Sequence, residues 1–434
     1  MQLEQRDLPF TYWMRIPLQS RSAKMSLLGI IFTGAVLFLF LTATELLAAF
    51  FSQSPDLARL NWAIRLQPGN AEYHYQKGRY LTLVQSSFGS SASCYREAVQ
   101  LNPHKAHYWL DLARTYLDLA DTKGQQDALE HALAADPTTP EIAWDAANFY
   151  IVRGEQEKAF HELRVVIAND PYMPLAAIRL GWQVSPDIDK FLAEVIPPKP
   201  DAYLTFLGFL ISKNERVATT KVWAKLVKLN EPIDSRYVLG YVQYLLAQKD
   251  VEQAQLVWVQ ASNLAGLSQY QPSPANLVVN GDFSLDVLNG GFDWSYYRHP
   301  SVSLALDPIQ THSGHQSLLI TFNRAKVSDA GIQQLIPVQS NTNYQFSAYC
   351  KTENMEGAGG PRFAIQDAYD STLFFASDDL RDADFWKPIS GNFSTGPNTK
   401  LVVLRVQRVP PESPIQGKLW IDGIRISPAP AQGQ

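Results

Sequence analysis

The chain has 434 residues, of which 46% are hydrophobic and 18% are charged, a balance typical of folded protein. Its 37 lysines and arginines against 42 aspartates and glutamates give a formal net charge of -5, which excludes the broad basic surface of a nucleic-acid-binding protein. The two cysteines, Cys94 and Cys350, lie far apart and share no motif, so a zinc ribbon, a C-x-x-C redox site and a disulfide scaffold are also excluded.

The first element is an uncharged apolar run, LLGIIFTGAVLFLFLTAT, over residues 27–44, which continues apolar to Phe51 except for Glu45. About 20 apolar residues are needed to cross a hydrocarbon core roughly 30 Å thick. A buried helix of a soluble protein is the alternative, but the run has no amphipathic period. We therefore predict a transmembrane segment over residues 25–51.

The charges that flank this run predict its orientation. Arg15, Arg21 and Lys24 precede it, so the positive-inside rule places residues 1–24 in the cytoplasm and exports the remainder. A cleaved signal peptide would have a shorter apolar region, and Leu47-Ala48-Ala49 fits a cleavage site poorly. A lipoprotein would need a cysteine directly after the run. An uncleaved signal anchor of a bacterial inner membrane, with the bulk of the chain periplasmic, is the prediction.

Residues 54–265 are rich in Ala and Leu and are interrupted by prolines at regular intervals. These prolines are Pro68, Pro103, Pro137 and Pro171, and in a second register Pro198 and Pro232. The intervals are 35, 34 and 34 residues in the first register and 34 in the second. A period of about 34 residues is that of a helix–turn–helix repeat.

The side chains within these units carry a recognisable pattern. Trp109, Leu112, Ala113 and Tyr116 follow W-x2-L-[GA]-x2-Y, and Tyr150 stands in the next copy. The segment resembles tetratricopeptide repeat proteins, most weakly over residues 172–198, where one helix pair looks shortened. The resemblance implies an α-solenoid whose concave face binds a protein partner. The aromatic residues are expected to pack between helices.

A polar connector over residues 266–275 ends the helical pattern, and alternating strands separated by Gly, Pro and Asn follow over residues 276–430. The strands expected there include 277–279, 317–322, 344–350, 362–366, 400–407 and 418–426. About eight short strands of this kind predict an antiparallel β-sandwich.

Five motifs in order add to this interpretation: NLVVNGDFS (276–284), GFDW (291–294), HSGHQSLLI (312–320), GIQQLIPVQSNTNYQFSAYCKTE (331–353) and LWIDGIRI (419–426). Together they resemble the carbohydrate-binding modules of the galactose-binding-like jelly-roll type. The resemblance implies a jelly roll that binds a polysaccharide, although the same fold also serves in protein binding.

The resemblance further implies a structural calcium ion that joins the start and the end of the sandwich. Asp282 and Asp422 match the carboxylates, with carbonyl groups near His315 as further ligands. Ser284 stands where the family often has Glu, so one ligand is absent. The alternative is that Asp282 shapes a turn and Asp422 accepts a backbone hydrogen bond.

Sugar recognition requires flat aromatic faces beside planar polar groups. The candidates are Trp294, Tyr296, Tyr297, Arg362, Gln366, Trp386, Arg405 and Gln407. Arg362 and Gln366, and likewise Arg405 and Gln407, are spaced to point to one side of their strands. We expect a cleft between these pairs with Trp294 or Trp386 at its rim. The alternative is that both tryptophans fill the core and the arginines are solvated.

The sequence lacks the nucleotide-binding, zinc-protease and serine-hydrolase motifs. Asp378, Asp379, Asp382 and Asp384 crowd together, but in a stretch that reads as a solvated loop. We therefore expect a non-catalytic, membrane-anchored adaptor that binds a protein partner through its repeats and a glycan through its sandwich, in assembly or export of surface polysaccharide. The alternative is a general envelope scaffold whose sandwich binds protein.

Overall fold

The computed structural model describes residues 20–53 and 56–430. The cytoplasmic segment predicted for residues 1–24, Arg15 included, lies almost wholly outside the described residues. Across the described ranges, fourteen α-helices are followed by two antiparallel sheets of five strands each. The predicted fold class is confirmed. The chain divides into two compact units, Met1–Val195 and Ile196–Gln434. The domain boundaries that the sequence predicts at residues 265 and 276 stay predictions.

Helix α1, Arg21–Ser52, is long and apolar enough to cross a membrane, and it is the one helix among the described residues that meets this criterion. At about 1.5 Å per residue its 32 residues extend roughly 48 Å. Most of its large apolar side chains are exposed, but Ala48 near its end is fully buried. Ala48 packs with Ala63 and Tyr73 of the helices α2 (Leu57–Leu66) and α3 (Ala71–Leu83).

The first unit continues with helices in antiparallel pairs. They are α4 (Phe88–Leu101), α5 (Ala106–Asp118), α6 (Thr122–Ala135), α7 (Pro140–Val152), α8 (Gln156–Asn169), α9 (Pro174–Val184) and α10 (Ile188–Glu194). The pairs α3–α4, α5–α6 and α7–α8 follow the proline period, and α9–α10 is the shortened pair. Small residues bring paired helices together: a Cβ on Gly78 would lie 2.7 Å from the Tyr95 ring, and one on Gly181 would lie 2.8 Å from the Phe191 ring.

The aromatic residues of the repeat motif pack between the helices, as predicted. Tyr150 is buried, and Trp109 and Tyr116 pack against the core that α3 to α8 share. Trp109 also donates its indole N–H to the carbonyl of Pro103 and stacks on His131. These side chains therefore stabilise the array.

The second unit begins with two further helix pairs and then adopts the sandwich. The helices are α11 (Pro200–Ser212), α12 (Arg216–Leu229), α13 (Ser235–Ala247) and α14 (Val251–Leu264), followed by one 3₁₀ turn, Ser268–Tyr270. Trp258 of α14 is buried, donates its indole N–H to the carbonyl of Tyr270 and contacts Phe292 edge to face. Because a Cβ on Gly291 would lie 2.2 Å from the Trp258 ring, this contact requires glycine.

The strands are β1 (Trp294–Tyr296), β2 (Val302–Asp307), β3 (Ser317–Ala325), β4 (Asp329–Pro337), β5 (Asn343–Gly357), β6 (Gly360–Asp367), β7 (Leu373–Ala376), β8 (Lys387–Ser394), β9 (Leu401–Val409) and β10 (Ile415–Pro428). The first sheet has the order β1-β4-β9-β6-β7, and the second has the order β2-β3-β10-β5-β8. One apolar core, which includes Phe346, Cys350, Phe363 and Leu404, lies between them.

Residues 277–279 do not form the expected strand. The chain turns immediately afterwards, at Asn280 and Phe283, which both have positive φ. The backbone N–H and carbonyl of Val279 are bonded instead by the side-chain amide of Gln334. The expected strands from residue 317 onward are confirmed within β3, β5, β6, β9 and β10.

Candidate functional site

One side of the first sheet points away from the core and carries a group of planar polar side chains, here called the polar face. Its members are Asp329 and Gln333 of β4, Arg405 and Gln407 of β9, and Arg362 and Gln366 of β6. The alternate residues of β6 and β9, such as Phe363 and Leu404, point into the core. Period-2 alternation therefore places the two predicted pairs on the same face.

Antiparallel pairing brings these side chains together across three neighbouring strands. Arg362 lies opposite Gln407 on β9, and Gln407 in turn lies opposite Asp329 on β4. Gln333 lies opposite Arg405. Directly opposed residues have Cβ atoms about 4.5–5.5 Å apart, so the face presents a continuous row of guanidinium, amide and carboxylate groups. This arrangement suits hydrogen bonding to several hydroxyl groups of one extended ligand.

Each arginine of the polar face is held by a carboxylate. Arg362 Nε donates to Asp379 Oδ1 at 2.7 Å, and Arg405 Nη1 lies 3.7 Å from Asp329 Oδ2. Two cations and two anions leave the face close to neutral. The hydrogen bond to Asp379 orients the planar guanidinium group of Arg362.

Two features of Arg405 and Asp329 distinguish the centre of the face. Arg405 Nε is buried and has no hydrogen-bond partner within the described residues. Burial raises the pKa of Asp329, although the N–H of Gly331 and the charge of Arg405 oppose that shift.

Two exposed tyrosines lie at the β1 edge of the sheet. Tyr297 is 51% exposed, and its backbone N–H donates to the carbonyl of Gly331. Burial of the hydroxyl and the neighbouring Asp329 raise the pKa of Tyr297, so the phenol stays protonated. Tyr296, the preceding residue, is also exposed. Tyr296 lies opposite Ile332, a core residue, so the ring of Tyr297, which neighbours Asp329, is the aromatic surface beside the polar groups.

Trp294 is a core residue. It is 1% exposed, its indole N–H donates to the carbonyl of Asn280 at 3.0 Å, and its ring stacks on Phe283. A buried ring presents no face to a sugar, so the expectation that Trp294 forms the rim gives way to the alternative that it fills the core.

Trp386 also lies away from the polar face, because it directly precedes β8 of the second sheet. Its ring contacts His312 edge to face, and His312 stacks on Tyr349 with ring centroids 3.5 Å apart. Trp386 is half-buried in this cluster, while the adjacent Phe385 is 85% exposed. The arginine and glutamine pairs of the expected cleft therefore share one face, and neither tryptophan lies on it.

Three further residues of this region were not identified from the sequence: Asp329, Gln333 and Asp379. Gln333 stands in the GIQQLIPV segment, and alternation from its apolar neighbours would have placed it on the outward side. Asp379 was interpreted as part of a solvated loop, and it does lie outside the strands. Its ion pair with Arg362 could not be predicted, because it depends on how the loop crosses β6.

The residues that the resemblance assigns to calcium do not fit the ion. The carboxylate of Asp422 is fully buried and accepts three backbone N–H groups, from His312, Ser313 and Gly423. Calcium needs six to eight oxygen ligands, whereas N–H donors surround these oxygens. Across residues 20–53 and 56–430 no cluster of three His, Cys, Asp or Glu side chains has the arrangement for a metal.

A second candidate site lies in the helical first unit, where a cavity of about 480 Å³ opens between α5, α6 and α7. Trp144, Asn148 and Phe149 of α7 line one side of it. Arg114 Nε donates to Asp145 Oδ2 at 2.7 Å at its edge. The lining combines apolar side chains with amide and charged groups, and the cavity lies in an array of helix pairs, an architecture that often binds protein partners.

A model of the family described as carbohydrate binding domain matches residues 275–413. No curated protein matches the chain significantly. Among solved structures, a CBM4 module is 16% identical over 35% of this chain and 99% of its own, with a TM-score of 0.28. The CBM22-1 xylan-binding domain of Xyn10C from Paenibacillus barcinonensis is 18% identical over 35% of this chain and 93% of its own, with a TM-score of 0.24.

A third solved structure is also similar to the chain. YrrB, a TPR protein with an unusual peptide-binding site, is 14% identical over 44% of this chain and 84% of its own, with a TM-score of 0.26. The array of helix pairs in the structure is the architecture expected from the sequence. The family match over residues 275–413 and the ten-stranded sandwich, whose last strand ends at Pro428, confirm the β-sandwich of carbohydrate-binding-module type expected for the C-terminal region.

Proposed function

We propose that this protein is a non-catalytic adaptor, anchored in a bacterial inner membrane, that binds a glycan on the polar face and a protein partner on its helical repeats. The observation that carries the proposal is the convergence of Arg362, Gln366, Arg405 and Gln407 on one outward face of a carbohydrate-binding-domain fold. If the protein partner belongs to the machinery that assembles or exports surface polysaccharide, the adaptor acts in that process.

The chemistry of the polar face supports a glycan. Its guanidinium and amide groups offer planar donors and acceptors, and the exposed ring of Tyr297 offers a surface for sugar C–H groups. Hydrogen bonding between these side chains and sugar hydroxyl groups changes no covalent bond, so we assign no reaction to the polar face. The cavity between α5 and α7 supports a protein partner, because its lining combines apolar side chains with amide and charged groups.

The length and composition of α1 support the membrane anchor. Retention of this helix is supported by Ala48, since cleavage after the apolar run would remove a residue that packs against Ala63 and Tyr73. If the orientation is as proposed, protease added to spheroplasts digests the chain beyond residue 53 and leaves a short membrane-protected fragment. Full protection of the repeats would contradict it.

The glycan site is tested with the full-length protein in detergent, by native electrophoresis through gels that contain soluble polysaccharides. Retardation by a defined polysaccharide is expected, and Arg405→Ala should weaken it. A lost charge-assisted hydrogen bond is worth about 1.5–3 kcal/mol, which corresponds to an affinity loss of roughly tenfold or more.

Arg425→Ala is the matched control, because Arg425 is an exposed arginine on β10 of the second sheet. It should migrate as the unmodified protein does. Equal loss in both variants would mean that net charge, and not the polar face, causes the retardation. Absence of retardation by every polysaccharide, with the fold shown to be intact, would favour an envelope scaffold whose sandwich binds protein.

A further inference from the structure

The start, one turn and the last strand of the sandwich meet at a set of residues here called the clasp: Asp282 and Ser284, the turn 312–315, and Asp422 with Gly423. The turn contacts the opening segment on one side and β10 on the other. On the β10 side, Asp422 Oδ2 accepts the N–H groups of His312 and Ser313, both at 2.7 Å. Its other oxygen accepts the N–H of Gly423 at 2.6 Å.

On the opening-segment side a serine hydroxyl makes the connection. Ser284 Oγ accepts the backbone N–H of His315 at 3.2 Å and donates to Asp282 Oδ2 at 3.0 Å. Asp282 Oδ1 accepts the N–H of Ser284. The Asp282 carboxylate therefore orients the hydroxyl that holds the turn.

Two glycines allow this close approach. A Cβ on Gly314 would lie 2.2 Å from Ser284 Oγ and 2.8 Å from Asp282 Oδ2, and a Cβ on Gly423 would lie 2.8 Å from Ser313 Oγ. Both glycines have positive φ. The space between the turn, the opening segment and β10 is thus filled by protein atoms in hydrogen-bond contact.

Backbone bonds beside the clasp join the same two ends of the domain. The N–H of Leu277 donates to the carbonyl of Ile426, and the N–H of Ile424 donates to the carbonyl of Gly281. Asn276 Oδ1 accepts the N–H of Ile426. The opening segment is therefore attached to β10 along several residues.

We infer that the clasp replaces the calcium ion that the family resemblance implies, so that hydrogen bonds, without an ion, join the opening segment, the turn and β10. A carboxylate has about four lone-pair sites, and three of those on Asp422 already accept N–H groups. A cation placed there would face the same N–H hydrogens and would have to displace them.

The test is thermal unfolding of the full-length protein in detergent, in excess calcium chloride and in excess EGTA. The clasp predicts the same midpoint in both. A structural ion present at one hundred times its Kd would raise the midpoint by about 5–10 °C for a domain of this size. A shift of that size, or saturable calcium binding by titration calorimetry, would overturn the inference.

Substitutions test the clasp itself. Asp422→Asn replaces one acceptor oxygen by an N–H₂ group that faces backbone donors, and it should lower the midpoint by several degrees, equally with calcium and with EGTA. Ser284→Ala removes only the hydroxyl group that accepts the N–H of His315, and it tests the clasp in the same way if Asp422→Asn does not fold. Asp286→Asn is the control, since Asp286 is an exposed carboxylate in the same segment. A loss in Asp422→Asn that calcium restores would contradict the inference.

Discussion

Trp258→Ala tests how the last helix pair and the sandwich depend on each other within the second unit. Trp258 belongs to α14, yet its ring contacts Gly291 and Phe292, which lie directly before β1. The indole is 1% exposed and bonded to the carbonyl of Tyr270. Its removal should therefore loosen the sandwich as well as the helix.

The magnitude follows from burial and hydrogen bonding. Truncation of a buried tryptophan to alanine costs about 3–5 kcal/mol, and the Tyr270 carbonyl loses its donor. We expect a decrease of about 4 kcal/mol in the free energy of unfolding of the second unit. The same change at Trp62, which is 53% exposed in α2, should cost under about 1 kcal/mol.

Hydrogen–deuterium exchange followed by mass spectrometry locates the effect. Faster exchange is expected in Trp258→Ala both in α13–α14 and in peptides that cover residues 286–296 and β4, which pairs with β1. Trp62→Ala should leave those peptides unchanged. Faster exchange in the helices, with the sandwich peptides unaltered, would refute the proposed dependence.

Three further predictions concern single side chains. Burial raises the pKa of Glu162 to about 7, so its native state binds the extra proton, and stability should fall as pH rises from about 4.5 through 7. Above pH ~7, Glu162→Gln should therefore raise the free energy of unfolding by about 1–2 kcal/mol. Below pH ~5 the substitution should change it little. Denaturant titrations at the two pH values measure both effects. Gly78→Ala should destabilise the helical array by about 1–3 kcal/mol in denaturant titration, because the added Cβ would overlap the Tyr95 ring. Gly89→Ala is the control, since Gly89 has open space around it and the substitution should not destabilise the array. Trp294→Ala should lower the unfolding midpoint by far more than Arg405→Ala, because it empties the core; equal midpoints would return Trp294 to the list of sugar contacts.

The sequence predicted the helix pairs and the polar face for the same reason, which is that both depend on local periodicity. Prolines about 34 residues apart end successive helix pairs, and alternation along β6 and β9 places Arg362, Gln366, Arg405 and Gln407 outward. That the two strands are neighbours, with Arg362 opposite Gln407, is a long-range property that one sequence does not contain.

The tryptophans show where such reasoning ends. Strand β1 is only three residues long, so alternation could not reveal that Trp294 points into the core. Trp386 ends a loop, and its sheet depends on the path of that loop. The contact of Trp258 with Gly291 also depends on tertiary packing, and the polar connector between them indicated only a change of fold.

Hydroxyl-radical footprinting of the full-length protein, with and without a polysaccharide that retards it, is the most direct test of the polar face. The account predicts protection of Tyr297 and of the β9 peptide around Arg405, with Phe385 and Trp386 of the second sheet modified equally in both samples. Protection confined to Phe385 and Trp386, with Tyr297 and β9 unchanged, would contradict it and would place the glycan on the other sheet.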